Sequence, residues 1–150
     1  MAYNVYKFTP SHTDEFQPQD MQRESWNLYQ KLCETGFEEW LEDRRRSISL
    51  EVDGNIVAIM GVLPLENGGG HLWLFNEKRV GANELRLVTK CVLGALEGLK
   101  DVGYTWVQTP IREDFEEGVR WAKLLGFTPT GKVEDLMEND IEFRYWKKVL

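Results

Sequence analysis

Apolar and polar residues alternate with different periods in different parts of the chain, and each period predicts an element. A first strand is expected over Tyr3–Phe8, ended by Thr9-Pro10. Helical spacing follows, with Trp26, Tyr29, Leu32 and Cys33 on one side and Gly36 as the stop. A second, short helix carries Phe37, Trp40 and Leu41 and ends on Arg44, Arg45 and Arg46. Cations at that end offset the helix dipole, and a binding role is the alternative. Ser47–Val52 then alternates Ile48, Leu50 and Val52 with polar neighbours, Asp53-Gly54 is a tight-turn dipeptide, and Ile56–Leu63 returns as a hairpin partner.

The second half reads with equal definition. After Glu66-Asn67-Gly68-Gly69-Gly70, the run His71–Phe75 is apolar on both faces and predicts a central strand. A loop over Asn76–Gly81 leads to a long helix from Ala82 to Lys100, striped by Leu85, Val88, Val92, Ala95, Leu96 and Leu99 and closed by Asp101-Val102-Gly103. Tyr104–Thr109 is a further buried strand, ended by Pro110. A helix over Asp114–Leu125 turns Phe115, Val119, Ala122 and Leu125 inward and stops at Gly126, and strands follow over Thr128–Val133 and Ile141–Lys148. The order β-α-α-β-β-β-α-β-α-β-β, with antiparallel pairs and one strand–helix–strand crossover, is an α+β architecture with a central mixed, mostly antiparallel sheet flanked by helices. No linker or repeat interrupts it, so a single domain over 1–150 is expected.

Charge narrows the partners. The chain carries −7, and a sequence this acidic lacks the basic face of a general nucleic-acid coat or of a protein held on anionic membranes by charge. The acid is uneven: residues 1–75 hold 6 basic and 12 acidic groups, residues 76–150 hold 12 and 13. An anionic ligand is therefore expected in the second half. Residues 78–90 are locally +3, with Lys78, Arg79, Arg86 and Lys90 against Glu84. A phosphate site or a solvated basic helix face capped by Asn83 explains that stretch equally well.

Cys33 and Cys91 form neither a disulfide framework nor a metal spacing, and both fall on apolar stripes, which predicts buried reduced thiols. With no apolar run of membrane-spanning or leader length, a cytoplasmic protein is expected. His12 and His71 are the only histidines, which excludes a His-rich metal centre and disfavours a nucleophilic triad.

The element order, with a long helix after the fourth strand, resembles the GCN5-related N-acetyltransferase (GNAT) superfamily. The most specific local piece is Val119-Arg120-Trp121-Ala122-Lys123-Leu124-Leu125-Gly126-Phe127, which is similar to the family's late helix ending in Lys-Leu-Gly-Phe. A narrower likeness, over His71 to Phe127, is to small GNAT-like proteins of short-tailed bacteriophages, which act as internal virion or assembly factors; that origin would place the chain in host cytoplasm or virion. In the superfamily, the loop after the fourth strand reads Arg/Gln-x-x-Gly-x-Gly/Ala and offers backbone N–H groups to the pyrophosphate of acetyl-CoA. Here the register is Lys78-Arg79-Val80-Gly81-Ala82-Asn83, in which only Gly81 matches outright.

The resemblance implies that the fourth and fifth strands splay, that the acyl-pantetheine arm pairs with the backbone around Leu74, Phe75 and Asn76, and that Trp73 and Trp106 line its cleft. Lys78, Arg79, Gly81, Ala82 and Asn83 would hold the phosphates. Where many members carry a Tyr as general acid and an Asn seven residues earlier, this chain has Ala122 and Phe115. His71 and Glu66 are the candidate bases by type and place, although His71 also suits an exposed turn. Two functions follow: an acyl-CoA-dependent N-acyltransferase acting on an amine-bearing small molecule or basic protein, or a GNAT-fold protein without chemistry that works by protein contact. Glu38, Glu39, Glu42 and Asp43 are a possible partner surface for the second, and the last strand is a possible homodimer edge.

Overall fold

A computed structural model describes residues 2–32, 47–136 and 138–150. Cys33, Gly36, the predicted helix with Phe37, Trp40 and Leu41, the Arg44–Arg46 run and the acidic set Glu38, Glu39, Glu42 and Asp43 lie outside the described residues. The strands are β1 (Tyr3–Lys7), β2 (Ser47–Val52), β3 (Asn55–Pro64), β4 (Gly69–Asn76), β5 (Trp106–Arg112), β6 (Thr128–Glu134) and β7 (Phe143–Val149). The helices are α1 (Arg23–Leu32), α2 (Ala82–Asp101) and α3 (Glu116–Leu124). The sheet order is β1-β2-β3-β4-β5-β7-β6, with β4 and β5 parallel and the pairs β1/β2, β2/β3, β5/β7 and β6/β7 antiparallel. This is the mixed α+β sheet that the pattern predicted. Among the described residues no helix is long and apolar enough to cross a membrane.

The chain divides into two compact units, Met1–Leu63 with Trp73–Cys91, and Pro64–Leu72 with Val92–Leu150. In the first, the β2–β3 hairpin turns through Asp53 (φ 50°) and Gly54 (φ 86°), the left-handed pair that Asp-Gly supplies. Its core joins Phe8, Phe16, Trp26, Ile59, Trp73 and Phe75. Trp26 stands edge-on to Phe75 at 4.9 Å and stacks on Phe16 at 5.5 Å, so three segments distant in sequence are tied by one indole. A Cβ at Gly61 would run into the Trp73 ring, which explains a glycine inside an otherwise apolar run of the strand.

In the second unit, β5 runs through Pro110, which pairs with Tyr145. The expectation that Pro110 ends the strand is corrected. The β4 pairs stop at His71–Gln108, so Pro110 lies past them and its missing N–H breaks no bond in that ladder. The α3 helix closes as the sequence implies: Gly126 has φ 90°, Phe127 N–H donates to the Ala122 carbonyl at 2.9 Å and Gly126 N–H to that of Lys123 at 3.0 Å. Lys148 Nζ donates to the Leu125 carbonyl at 2.7 Å and adds charge where the helix dipole is negative.

Within α2 the predicted stripe holds, with Val88, Val92 and Leu96 buried and Leu85, Ala95 and Leu99 half-buried. Cys91 is a free thiol but only half-buried, since it flanks that stripe instead of lying at its centre; partial burial still pushes its pKa up.

Candidate functional site

The end of β4 and Glu77, the residue after it, use their two edges differently. Glu77 N–H donates to the Val57 carbonyl of β3 at 2.8 Å, and strand alternation turns the polar groups of Asn76 and Leu74 to the opposite edge. Among the described residues that edge is not paired to a regular strand. The Gln22 side chain serves it: Nε2 donates to the Leu74 carbonyl at 3.0 Å, and Oε1 accepts from Asn76 N–H at 2.8 Å. One carboxamide thus closes a two-bond ring with the backbone. Just beyond, Pro18 faces Glu77 as an antiparallel bridge, with Gln19 N–H donating to the Asn76 carbonyl at 3.0 Å and Lys78 N–H to that of Gln17 at 2.6 Å. Asn76 is 5% exposed, and its Oδ1 has no hydrogen-bond partner among the described residues.

The loop from β4 to α2 is held by Glu77, itself 5% exposed. Its Oε2 accepts Arg79 N–H at 2.8 Å, and its Oε1 takes Arg79 Nε at 3.1 Å. Counted with Glu77, the basic stretch has four cations and two anions and is +2. Lys78, Arg86 and Lys90 are exposed, as are Gly81, Ala82 and Asn83. The first intrahelical bond of α2 runs from Leu85 N–H to the Gly81 carbonyl at 3.0 Å, which makes Gly81 the cap and leaves the N–H groups of Ala82, Asn83 and Glu84 ahead of it. A Cβ at Gly81 would stand 3.1 Å from Glu84 Oε2, so a carboxylate of the helix's own first turn lies beside the cap residue.

The other candidates belong to the second unit. His71 is on β4, paired with Gln108, and half-buried, not an exposed turn residue. Loss of solvent and the Lys132 charge both push its pKa below the usual 6.5, so it is neutral at pH 7 and has the form of a base. Glu66 opens a single turn of 3-10 helix and is exposed. Ala122 is buried at 3% and Phe115 caps α3, so neither position offers a proton. A group that sequence reasoning missed sits on the β6–β7 hairpin: Tyr145 Oη donates to Glu134 Oε2 at 3.3 Å, and Lys132 Nζ pairs with Glu134 at 3.2 Å while lying 4.5 Å over the Tyr145 ring. Trp106 is half-buried, its Nε1 donating to the Asn67 carbonyl at 3.3 Å and Lys147 lying 4.6 Å over its face.

Comparison with solved structures decides the fold. Ard1 from Thermoplasma volcanium superposes with a TM-score of 0.76 at 15% identity, covering 100% of this chain and 99% of that one. An acetyltransferase of the GNAT family from Streptococcus pneumoniae gives 0.70 at 14%, over 99% and 100%. The chain has the GNAT fold. The yncA protein of Salmonella typhimurium, solved with its cofactor acetyl-CoA, matches at 0.68 and 11% over 100% and 95%. No family model and no curated protein matches the chain.

On this GNAT fold the residues present suit an acyl-CoA in kind. The Leu74 carbonyl and Asn76 N–H form an acceptor–donor pair that already holds a carboxamide, the same group as the amides of a pantetheine arm. Gln22 had no sequence signal of its own. The stretch Gln17-Pro18-Gln19, with a proline suited to a sheet edge, was the available hint.

Proposed function

We propose that the protein is an N-acyltransferase of the GNAT fold, passing an acyl group from acyl-CoA to an amine. The observation that carries this reading is the amide-binding pair at Leu74 and Asn76, followed within ten residues by the exposed N-terminus of a twenty-residue helix. The backbone of Leu74, Phe75 and Asn76 would hold the arm, and Lys78 with the N–H groups of Ala82 and Asn83 would hold the phosphates. Arg79 contributes less, because Glu77 neutralises it. Acetyl-CoA, when bound, supplies an acyl group activated as a thioester.

The chain supplies the rest. Positioning of the amine is worth more than any single group, since a held nucleophile reacts as if at high local concentration. His71, neutral at pH 7, takes the proton that the amine nitrogen loses as it bonds to the acyl carbon and the thiolate departs, with Glu66 as the alternative. Ala122 and Phe115 give no proton, so water protonates the departing thiolate. The −6 balance of residues 1–75 favours a cationic acceptor, a polyamine-like molecule or the N-terminus of a basic protein. The assay is release of the CoA thiol from acetyl-CoA in the presence of a polyamine or a basic peptide. Amine-dependent thiol release is expected to hold through pH 6.5 and to fall only on further acidification, because loss of solvent and the Lys132 charge lower the pKa of His71. Absence of release with either amine removes the catalytic reading.

A second reading, a GNAT-fold protein without chemistry acting by contact in a phage particle or on a host factor, is favoured by one observation. The groups that would receive the arm are engaged by Gln22. Partner capture that is lost on charge reversal at Glu38, Glu39, Glu42 and Asp43, from a chain that binds no acetyl-CoA, would establish it.

A further inference from the structure

We propose that the Gln22 carboxamide is an internal surrogate for an amide of the acyl-CoA arm, and that the arm seats on Leu74 and Asn76 only by displacing it. The inference rests on the acyltransferase reading and specifies how its site is regulated. Three features support it. The Gln22 bonds are a matched pair, one donated and one accepted, at 3.0 and 2.8 Å, so one amide meets both groups of the edge. The bonding group is a side chain at the end of the short helix Asp20–Gln22, so it can leave by rotation about its own bonds while the main-chain bonds at Gln19–Asn76 and Gln17–Lys78 stay in place. And the edge residue Asn76 carries an unmet acceptor, since its side-chain Oδ1 is buried without a partner among the described residues.

A brace that had only to join α1 to β4 needs no exchangeable amide. A site that must accept an amide does, because an empty Leu74 carbonyl and Asn76 N–H would be left unpaired in a partly buried edge. The surrogate keeps them paired in the free protein and yields them one for one. The cost is affinity: binding must first break two neutral hydrogen bonds, a competition that weakens the arm by about tenfold.

The test is calorimetric titration of acetyl-CoA into the full chain and into Q22A, together with NMR of the Gln22 side-chain amide in the unaltered protein. The expected results are about tenfold tighter binding by Q22A, and movement of the Gln22 amide resonances to free-carboxamide positions as acetyl-CoA is added. If the unaltered protein binds but Q22A binds equally or more weakly, and the Gln22 resonances do not move, Gln22 is a structural brace and the inference is overturned while the acyltransferase reading stands. Should Q22A fail to fold, the Gln22 resonances decide alone. No binding by either protein at millimolar acetyl-CoA overturns the acyltransferase reading and the inference with it.

Discussion

The two halves of β4 have their hydrogen bonds met in different ways. Gly69, Gly70 and His71 are paired with the main chain of β5, whereas Leu74 and Asn76 are met by one side chain and a two-residue bridge. A main-chain ladder is indifferent to side-chain identity and has no rotamer by which to let go. A side-chain amide is a replaceable partner. The same strand is therefore held by main chain at one end and by an exchangeable carboxamide at the other, and under the proposed function that carboxamide stands in for the ligand's amide.

Substitutions can break this contrast in order of size. The largest effect is expected from Gly61→Ala, whose methyl group would enter the ring of Trp73, itself only 4% exposed and unable to yield. A loss of about 2–3 kcal/mol is expected by denaturant titration. Gly69→Ala, at the start of β4, meets Trp106 in the same way, but that ring is half-buried and can swing outward, so about 1 kcal/mol is expected. Equal losses at the two sites would mean that the Trp106 ring is held as firmly as the Trp73 ring. Gln22→Ala should cost about 1 kcal/mol of stability, a shift of about 2–4 °C in melting temperature, while tightening acetyl-CoA. A fold-defining brace would instead cost several times that.

The smallest effect is with pH. His12 and His71, one in each unit, both have pKa values pushed below the usual 6.5 by loss of solvent. Between the lowered values and about 6.5 the unfolded chain binds more protons than the folded one, so stability is fully present above pH 6.5 and falls on acidification through that window. His12 adds a geometric reason: its Nδ1 accepts from Thr9 N–H at 3.3 Å and lies 2.7 Å from Ser49 Oγ, an arrangement that needs that nitrogen unprotonated. Thermal melts of His12→Gln and His71→Gln between pH 5 and 7 should each show a flatter dependence than the unaltered protein.

What could be read from the sequence follows how far each interaction reaches along it. The α3 stop was legible because its bonds join Ala122 to Phe127 and Lys123 to Gly126, within one turn. The α2 stripe was legible because helical period and burial coincide at Val88, Val92 and Leu96. The Gln22 bonds join residues 52 and 54 positions apart, and no local pattern encodes them. Pro110 was misread because its tolerance depends on where the β4 pairing stops, a property of the partner strand. The +3 of residues 78–90 was an effect of where the stretch begins, one residue past the carboxylate that neutralises Arg79.

The central claim is that acyl-CoA seats on the C-terminal half of β4. The most direct measurement is two-dimensional amide NMR of the full chain during titration with acetyl-CoA, comparing Asn76 with Gly70 on the same strand. A saturable shift of Asn76 N–H with Gly70 nearly unmoved is the expected result, because only the former exchanges its partner. An Asn76 resonance that stays fixed at millimolar acetyl-CoA would contradict the account.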